Sequence, residues 1–222
     1  AQYEVPKDEG VHSLFAGSLW IGGIDNQDNL KIAAMTYRQT GSDFYPGPLN
    51  ANTESESYGT IGYDDCNEYD THWVISKNDV ESYVNYLNCL NDDGCDETSM
   101  FAGYTIPNTI ENWPASHFDF DGTSEYLAPF IDVDGDGIYN NSDYPGYDLS
   151  TEGNCFENDY LFGDQSIWWV FNDNGNIHGE TGGTPIGLEI QAQAFAYKTN
   201  DELSDMTFYS YKIINRSNET LN

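Results

Sequence analysis

The sequence predicts a mostly β fold, an antiparallel β-sandwich-like domain with long irregular loops and one short helix. Aromatic residues make up 15% of the 222 residues, with 17 Tyr, 11 Phe and 5 Trp, and these side chains suit pleated sheets better than helices. The 21 Gly and 8 Pro supply many turns. Hydrophobic residues, at 38%, suffice for a core, so the length suits a single β-rich domain over 1–222 or two smaller ones.

Five segments have the composition of β-strands. Segments 19–24 and 30–37 flank a short turn-forming stretch and therefore predict a hairpin. Segment 166–171 is rich in aromatic and β-branched residues, and a strong turn signal, Asn-Asp-Asn-Gly-Asn, follows it at 172–176. The last two predicted strands span 186–197 and 207–215.

One helix is predicted near residues 77–90. Ser76 and Asp79 have the spacing of a capping box, in which two side chains satisfy free amides at a helix start. We expect the apolar stripe to face the core rather than a partner. Its members recur at helical spacing: Val80, Tyr83, Val84 and Leu87.

The net charge of the chain is strongly negative. Asp and Glu number 38 against 7 Lys and Arg, which gives a formal net charge of −31. Such a surface repels phosphate backbones and anionic lipids, so nucleic-acid and membrane-surface partners are not expected. The sequence also has no apolar run long enough to insert in a membrane. Two interpretations stay open: a salt-adapted, highly soluble exterior, or a fold that includes divalent cations.

Four cysteines suggest two disulfides in an exported protein. Four cysteines permit three connectivities. Cys89 and Cys95 bracket a turn-rich segment and are expected to close a short loop, which would leave Cys66 to pair with Cys155. Zinc is disfavoured because no Cys-x-x-Cys motif is present and the four histidines are scattered.

The most specific motif is an acidic loop at residues 132–143. Acidic side chains at loop positions 1, 3 and 5 converge on one point when the chain turns sharply, and Gly137 at position 6 permits that turn. Calcium prefers such oxygen ligands, and position 7 supplies a backbone carbonyl, so an apolar side chain is tolerated there. The predicted calcium ligands are Asp132, Asp134, Asp136, the carbonyl of Ile138, Asn140 and Asp143.

The end of this loop differs from that of a sensor-type EF-hand. Position 12 is Asp143 rather than Glu, and with Asn140 at position 9 the loop resembles those of dockerins and thrombospondin type 3 repeats. The resemblance implies a structural calcium site that often lacks a full pair of flanking helices. Pro145 also argues against a helix continuing from the loop. Partial matches to the motif occur at 119–122 and 172–175, where no metal is predicted.

No catalytic motif is evident in the sequence. There is no His-Glu-x-x-His, no Gly-x-Ser-x-Gly and no phosphate-binding glycine loop. A glycosidase needs two carboxylates across a groove, and a sequence with 38 acidic residues does not identify the pair. No catalytic or cofactor-binding residue is therefore predicted apart from the calcium ligands, and an enzyme is disfavoured. The five Trp are expected mainly in the core, with Trp168 and Trp169 on opposite faces of one strand.

Several segments, in order along the chain, resemble large secreted proteins of Bacteroidetes. The resemblance implies export to the cell surface or medium, usually with a C-terminal type IX secretion sorting domain, and no assigned activity. It also implies that 1–222 is the N-terminal part of a larger secreted protein. The segments that carry it are 19–23 (Leu-Trp-Ile-Gly-Gly), 36–49, 112–114 (Asn-Trp-Pro), 127–137 and 163–173.

The sequence leads to three functional hypotheses. The first is a calcium-stabilised structural or adhesion protein, extracellular or on the cell surface, that acts without catalysis in an extracellular assembly and binds itself, other surface proteins or glycans. The second is a secreted carbohydrate-binding or carbohydrate-active module, which predicts an open groove with exposed Trp or Tyr. The third is a calcium-stabilised spacer within a multidomain protein.

Overall fold

The chain is mostly β, with 28% strand and 16% helix, in a computed structural model that describes residues 3–5, 8–38, 40–118, 124–149 and 160–220. The sheets are antiparallel, which confirms the predicted sandwich-like class. The strands are β1 Tyr3–Glu4, β2 His12–Leu14, β3 Trp20–Ile24, β4 Leu30–Ala34, β5 Tyr45–Pro46, β6 Trp73–Ser76, β7 Ser116–Phe118, β8 Ser124–Tyr126, β9 Phe130–Ile131, β10 Tyr144–Pro145, β11 Gln165–Asn172, β12 Leu188–Ala196 and β13 Phe208–Asn215.

The helices include one long element and several short ones. They are α1 Tyr63–Glu68, α2 Lys77–Leu90, α3 Glu97–Met100, α4 Asn108–Glu111 and a 3-10 turn at Glu202–Asp205. The predicted helix near 77–90 is α2. The shorter helices were not predicted, because four to six residues are too few to show helical periodicity. Among the described residues, no helix combines the length and apolar character that a membrane span requires.

A five-stranded sheet forms the centre of the fold. Its order is β13-β12-β11-β5. β6 pairs with the first half of the same edge of β11, and β5 pairs with the last two residues of that edge. The predicted strands at 166–171, 186–197 and 207–215 are its three long members. Along β11, buried residues alternate with half-buried ones, because successive side chains point to opposite faces of the sheet.

One face of the sheet carries the larger core. Trp168 and Val170 on β11 pack there with Val80 and Tyr83 of α2 and with Ile110 of α4. The predicted capping of α2 is present, since Ser76 Oγ accepts the N–H of residue 79 at 3.1 Å and donates to its carboxylate at 2.6 Å. The buried stripe of α2 therefore faces the core, as its spacing predicted.

The opposite face carries a second, smaller core under the β3–β4 hairpin. Ala33 packs there with Leu188 and Ile190 of β12 and with Phe171 of β11. The hairpin is confirmed, but its second strand ends earlier than the predicted 30–37. It stops at Ala34 because the N–H of that residue donates to the carboxylate of Asp43 at 3.1 Å instead of to a strand.

Candidate metal centre

The acidic loop at 132–143 connects two short paired strands. β9 and β10 are antiparallel, with Ile131 opposite Tyr144 and Phe130 opposite Pro145. Pro145 lies in β10, a strand that was not predicted, where the sequence had argued only against a continuing helix. The loop is the end of a β-hairpin, and the structure of its flanks differs from the helix pair of an EF-hand.

Two glycines give the loop its curvature. Gly135 and Gly137 have φ angles of 75° and 77°, in the left-handed region that other residues rarely adopt. A Cβ on Gly137 would lie 2.8 Å from the hydroxyl of Tyr126. Both glycine N–H groups point inward and donate to Asp132, at 2.7 Å and 2.8 Å. Position 6 therefore requires glycine both for its backbone angle and for the space beside Tyr126.

Three carboxylates converge inside this turn. Asp132, Asp134 and Asp136 each offer an oxygen, and these oxygens all lie within 4.8 Å of one another. This cluster of three acidic side chains could hold a metal ion. The loop therefore brings together the residues at positions 1, 3 and 5, as the motif predicted.

Asp134 receives most of its hydrogen bonds from the second half of the loop. Asn140 Nδ2 and Ser142 Oγ donate to its carboxylate, each at 3.1 Å. The bond from Asn140 is the main reason that the pKa of Asp134 lies below its ordinary value, since it favours the ionised form. The side-chain oxygen of Asn140 accepts from the N–H and hydroxyl of Ser142. The predicted ligand at position 9 thus lies beside the acidic cluster.

Asp143 is buried and closes the loop at its base. One carboxylate oxygen accepts the N–H of Val133 and the other accepts the N–H of Asn140, both at 2.8 Å. Burial raises the pKa of Asp143, and the negative charges of Asp134 and Asp132 raise it further. Asp143 is outside the group of three whose oxygens lie within 4.8 Å of one another. In this structure it holds the two ends of the loop together, and its role as a ligand stays a prediction.

Ile138 also occupies the place that the motif assigns to it. Its side chain is exposed, and its carbonyl oxygen accepts from Asn140 Nδ2 at 3.2 Å. An apolar residue is therefore tolerated here because only the backbone of position 7 takes part in the loop. Ligation by this carbonyl, like that by Asn140, stays a prediction.

Three hydrogen bonds hold the hairpin against the helical side of the larger core. Tyr83 of α2 donates to the carbonyl of Asn141 at 2.7 Å. Tyr139, within the loop, donates to the carbonyl of Ile110 at 2.7 Å. Trp113 donates to the carbonyl of residue 129 at 2.9 Å. These contacts are distant in the sequence, and the calcium motif gave no signal for them.

The shorter acidic segment at 172–175 has a structural role. Asp173 is buried, and its carboxylate accepts three successive N–H groups, from Ile186, Gly187 and Leu188, at 2.5 to 2.9 Å. The predicted turn is thus the start of the connection over 173–187 between β11 and β12. Asp173 joins the start of this connection to its end. The other partial match to the motif, at 119–122, lies outside the described residues.

His178 is buried beside Asp173. Its two ring nitrogens each lie 2.6 Å from a backbone carbonyl oxygen, that of Ile32 and that of Asp173. The ring therefore bridges the backbone of β4 and the backbone at the end of β11. The carboxylates of Asp43 and Asp173 lie 3.9 Å and 3.7 Å from the ring nitrogens. This group joins the β3–β4 hairpin to the central sheet.

The cysteine predictions are confirmed in part. Cys89 and Cys95 form a disulfide with 5.3 Å between their Cα atoms, and it closes the short loop after α2. Cys66 is half-buried and forms no disulfide with another described cysteine. Burial raises the pKa of its thiol. Its predicted partner, Cys155, lies outside those ranges.

The tryptophans divide between core and surface. Trp113 and Trp168 are buried, and Trp73 packs partly buried against them. Trp169 is half-buried on the other face of β11, which confirms that the adjacent pair points in opposite directions. Trp20, by contrast, is 69% exposed.

Comparisons of the chain with protein-family models, with curated proteins and with solved structures found no match. The resemblances to secreted Bacteroidetes proteins and to dockerin-type loops therefore stay predictions. The function must be inferred from the chemistry of this chain itself.

Proposed function

We propose that this chain is a calcium-stabilised structural module of a secreted or cell-surface protein, acting in adhesion or in an extracellular assembly and without catalysis. The observation that carries the proposal is the convergence of Asp132, Asp134 and Asp136 inside a loop that is hydrogen-bonded to the core. The proposed ligands are these three, with the carbonyl of Ile138, with Asn140 and with Asp143.

The donor set favours calcium over other ions. Calcium takes oxygen ligands at about 2.3–2.6 Å, so two oxygens on opposite sides of one ion lie about 5 Å apart. The carboxylate oxygens of the cluster, within 4.8 Å of one another, fit around a single ion. Zinc prefers nitrogen and sulfur ligands, and magnesium demands near-ideal octahedral geometry that a mixed loop of this kind does not supply.

Electrostatics supports a cation at the same place. The chain has a net charge of −31, and its three clustered carboxylates repel one another. A divalent cation bound by the three carboxylates would offset this repulsion. Because the hairpin is joined to α2 and α4 by hydrogen bonds from Tyr83 and Tyr139, the ion would stabilise the core as well as the loop.

The surroundings of the loop favour a structural role over a sensor role. A sensor EF-hand changes the angle between two helices when calcium binds. Here the flanks are two strands, β9 and β10, which are paired with each other. The disulfide between Cys89 and Cys95 suits an oxidising compartment. Calcium is abundant outside cells, where even a weak site is filled.

A calcium titration of the metal-free chain by isothermal calorimetry tests the site. We expect one calcium ion per chain, much weaker binding of magnesium, and at least a tenfold loss of affinity in Asp134→Asn. Asp205→Asn is the matched control, because Asp205 is exposed in the 3-10 turn outside the loop. Absence of binding at about 10 mM calcium, or equal loss in both variants, would overturn the proposed site.

The assembly part of the proposal has its own test. Sedimentation velocity of the full chain in calcium, with and without cultured cells or extracted surface glycans, measures self-association and partner binding. We expect association in at least one of these mixtures. A chain that stays monomeric and binds none of them would leave no support for a role in adhesion or assembly.

A further inference from the structure

A groove lies between the β9–β10 hairpin and the central sheet. Its volume is about 400 Å³, within the range of roughly 300–1,000 Å³ that is usual for small-molecule sites. One wall comes from the segment that joins β8 to β9 and from the start of the acidic loop, and the other comes from β12 and β13. The groove mixes aromatic with polar side chains, chiefly Tyr126, Phe130, Asp132, Gln191, Ser210 and Lys212.

The aromatic wall is exposed but held in place. Tyr126 is 59% exposed, and its ring centroid lies 5.7 Å from that of Phe130. Phe130 in turn packs edge-on against Tyr139 of the acidic loop at 5.7 Å. The hydroxyl of Tyr126 lies beside Gly137, where a Cβ would come within 2.8 Å of it. The wall therefore offers an exposed aromatic ring that packs against the acidic loop.

The polar wall follows from the register of the sheet. Gln193 is opposite Trp168 on one side and Ser210 on the other, and Gln191 is opposite Lys212. Residues directly opposite each other share a face, so these side chains form two adjacent rows. These rows place amide and hydroxyl groups beside Trp168, which is only 2% exposed.

The two amides are fixed by the protein. Gln191 Nε2 donates to Glu189 at 2.8 Å. Gln193 Nε2 donates to the carbonyl of Tyr160 at 3.1 Å, and its oxygen accepts the N–H of Phe162 at 3.3 Å. An amide nitrogen has two N–H groups, and each of these bonds uses one, so a second donor is oriented without further loss of side-chain freedom. Such preorganisation lowers the entropic cost of binding.

We propose that this groove binds a neutral oligosaccharide. The C–H face of a sugar ring packs on an aromatic ring such as that of Tyr126, while its hydroxyls pair with amide and hydroxyl groups of the kind that line the opposite wall. The net charge of −31 opposes a polyanionic ligand. An apolar ligand would cover the second amide N–H groups of Gln191 and Gln193 without pairing with them, at a cost in affinity.

The groove is also coupled to the acidic loop, and this part rests on the proposed calcium site. Asp132 lines the groove and belongs to the carboxylate cluster. Tyr126 touches the turn at Gly137. An ion that orders the loop would hold the aromatic wall in position, so calcium strengthens sugar binding.

Calorimetry with defined hexasaccharides tests the groove. The probes are cellohexaose, xylohexaose, mannohexaose and maltohexaose, each titrated into the full chain in millimolar calcium. We expect at least one to bind, an affinity loss of about tenfold or more in Tyr126→Ala, and retained affinity in Tyr126→Phe, which keeps the ring. Tyr63→Ala is the control, because Tyr63 is 80% exposed on α1, away from the groove.

Each outcome decides the proposal. No binding of any hexasaccharide at about 10 mM overturns it, and binding that survives Tyr126→Ala places the sugar elsewhere and overturns it too. A repeat in EDTA separates the two proposals. Sugar binding that weakens in EDTA supports the coupling. Sugar binding in a chain that takes up no calcium sustains the groove and rejects the coupling, and calcium binding without sugar binding rejects the groove alone.

Discussion

The side-chain amide of Asn140 donates a hydrogen bond to the carboxylate of Asp134 at 3.1 Å and joins the ninth and third positions of the acidic loop across its centre. The same bond lowers the pKa of Asp134 more than any other contact does. Asp134 is thereby kept ionised and oriented, which is what a cation site requires.

Replacing Asn140 with alanine should therefore weaken calcium binding. The variant loses a predicted ligand and the bond that orients Asp134, so we expect the calcium affinity to fall by about tenfold. Isothermal calorimetry measures it. Asn78→Ala is the control, since Asn78 is exposed on α2, outside the loop. Equal affinities in wild type and Asn140→Ala would show that position 9 has no part in the site.

Removing the hydroxyl of Tyr83 should loosen the hairpin from α2. Tyr83→Phe leaves the carbonyl of Asn141 without its donor at 2.7 Å, and the expected loss is about 1 kcal/mol of unfolding free energy, together with lower calcium affinity. Urea unfolding in calcium gives the first quantity and calorimetry the second. Tyr63→Phe, at an exposed site on α1, should change neither. A variant with unchanged stability and unchanged calcium affinity would mean that the hydrogen bond from Tyr83 does not support the loop.

The disulfide between Cys89 and Cys95 should add a modest amount of stability. The bond closes a loop with a sequence separation of 6 residues, and the chain-entropy relation gives about 2 kcal/mol for so short a loop. We expect the double variant Cys89→Ser, Cys95→Ser to lose this amount in urea unfolding. Cys66→Ser, which leaves this disulfide intact, provides the comparison. An unchanged midpoint in the double variant would contradict the prediction.

Asp43 should make the stability of the fold depend on acidic pH. Burial by itself would raise the pKa of Asp43, but the Thr181 side chain and the N–H groups of Ala34, Glu180 and Thr181 lower it by more, and the net pKa lies below its ordinary value. A lowered pKa in the folded state means that the unfolded chain binds more protons as the pH falls. The contribution is complete above the unfolded pKa of about 3.9 and is lost as the pH falls through the lower folded pKa.

Unfolding free energies of wild type and Asp43→Asn, measured between about pH 6 and pH 3, check this prediction. Both proteins are first stripped of calcium at neutral pH and then measured in calcium-free buffer, so calcium contributes to neither. We expect the difference between them to be constant at the upper end and to shrink below about pH 4. A difference that stays constant, or one that grows in acid, would contradict the direction given for Asp43.

Local patterns in the sequence predicted the regular parts of the fold. β11 shows the alternation of a strand with one buried face, and α2 has both its cap at Ser76 and its apolar stripe. The turn of the acidic loop was also predictable, because Gly137 and the acids at positions 1, 3 and 5 are local features. Such elements are encoded within a few residues, so periodicity and spacing reveal them.

Contacts between distant segments could not be predicted in this way. Tyr83 binds a residue 58 positions away, and Asp43 binds one 137 positions away. The groove depends on the register between β12 and β13, which pairs Gln193 with Ser210. Register and burial arise only when the sheet assembles, so the sequence showed the acids and aromatic residues without showing which of them meet.

Thermal unfolding in millimolar calcium and in excess EDTA, with Asp134→Ala alongside, tests the central claim most directly. A site whose Kd lies about 100-fold below the calcium concentration adds about 2.7 kcal/mol, which for a chain of 222 residues corresponds to roughly 5–10 °C. We predict a fall of this size when wild type is moved into EDTA, and the same lower midpoint for Asp134→Ala in either buffer. Identical midpoints for wild type in calcium and in EDTA would contradict a structural calcium ion in this loop.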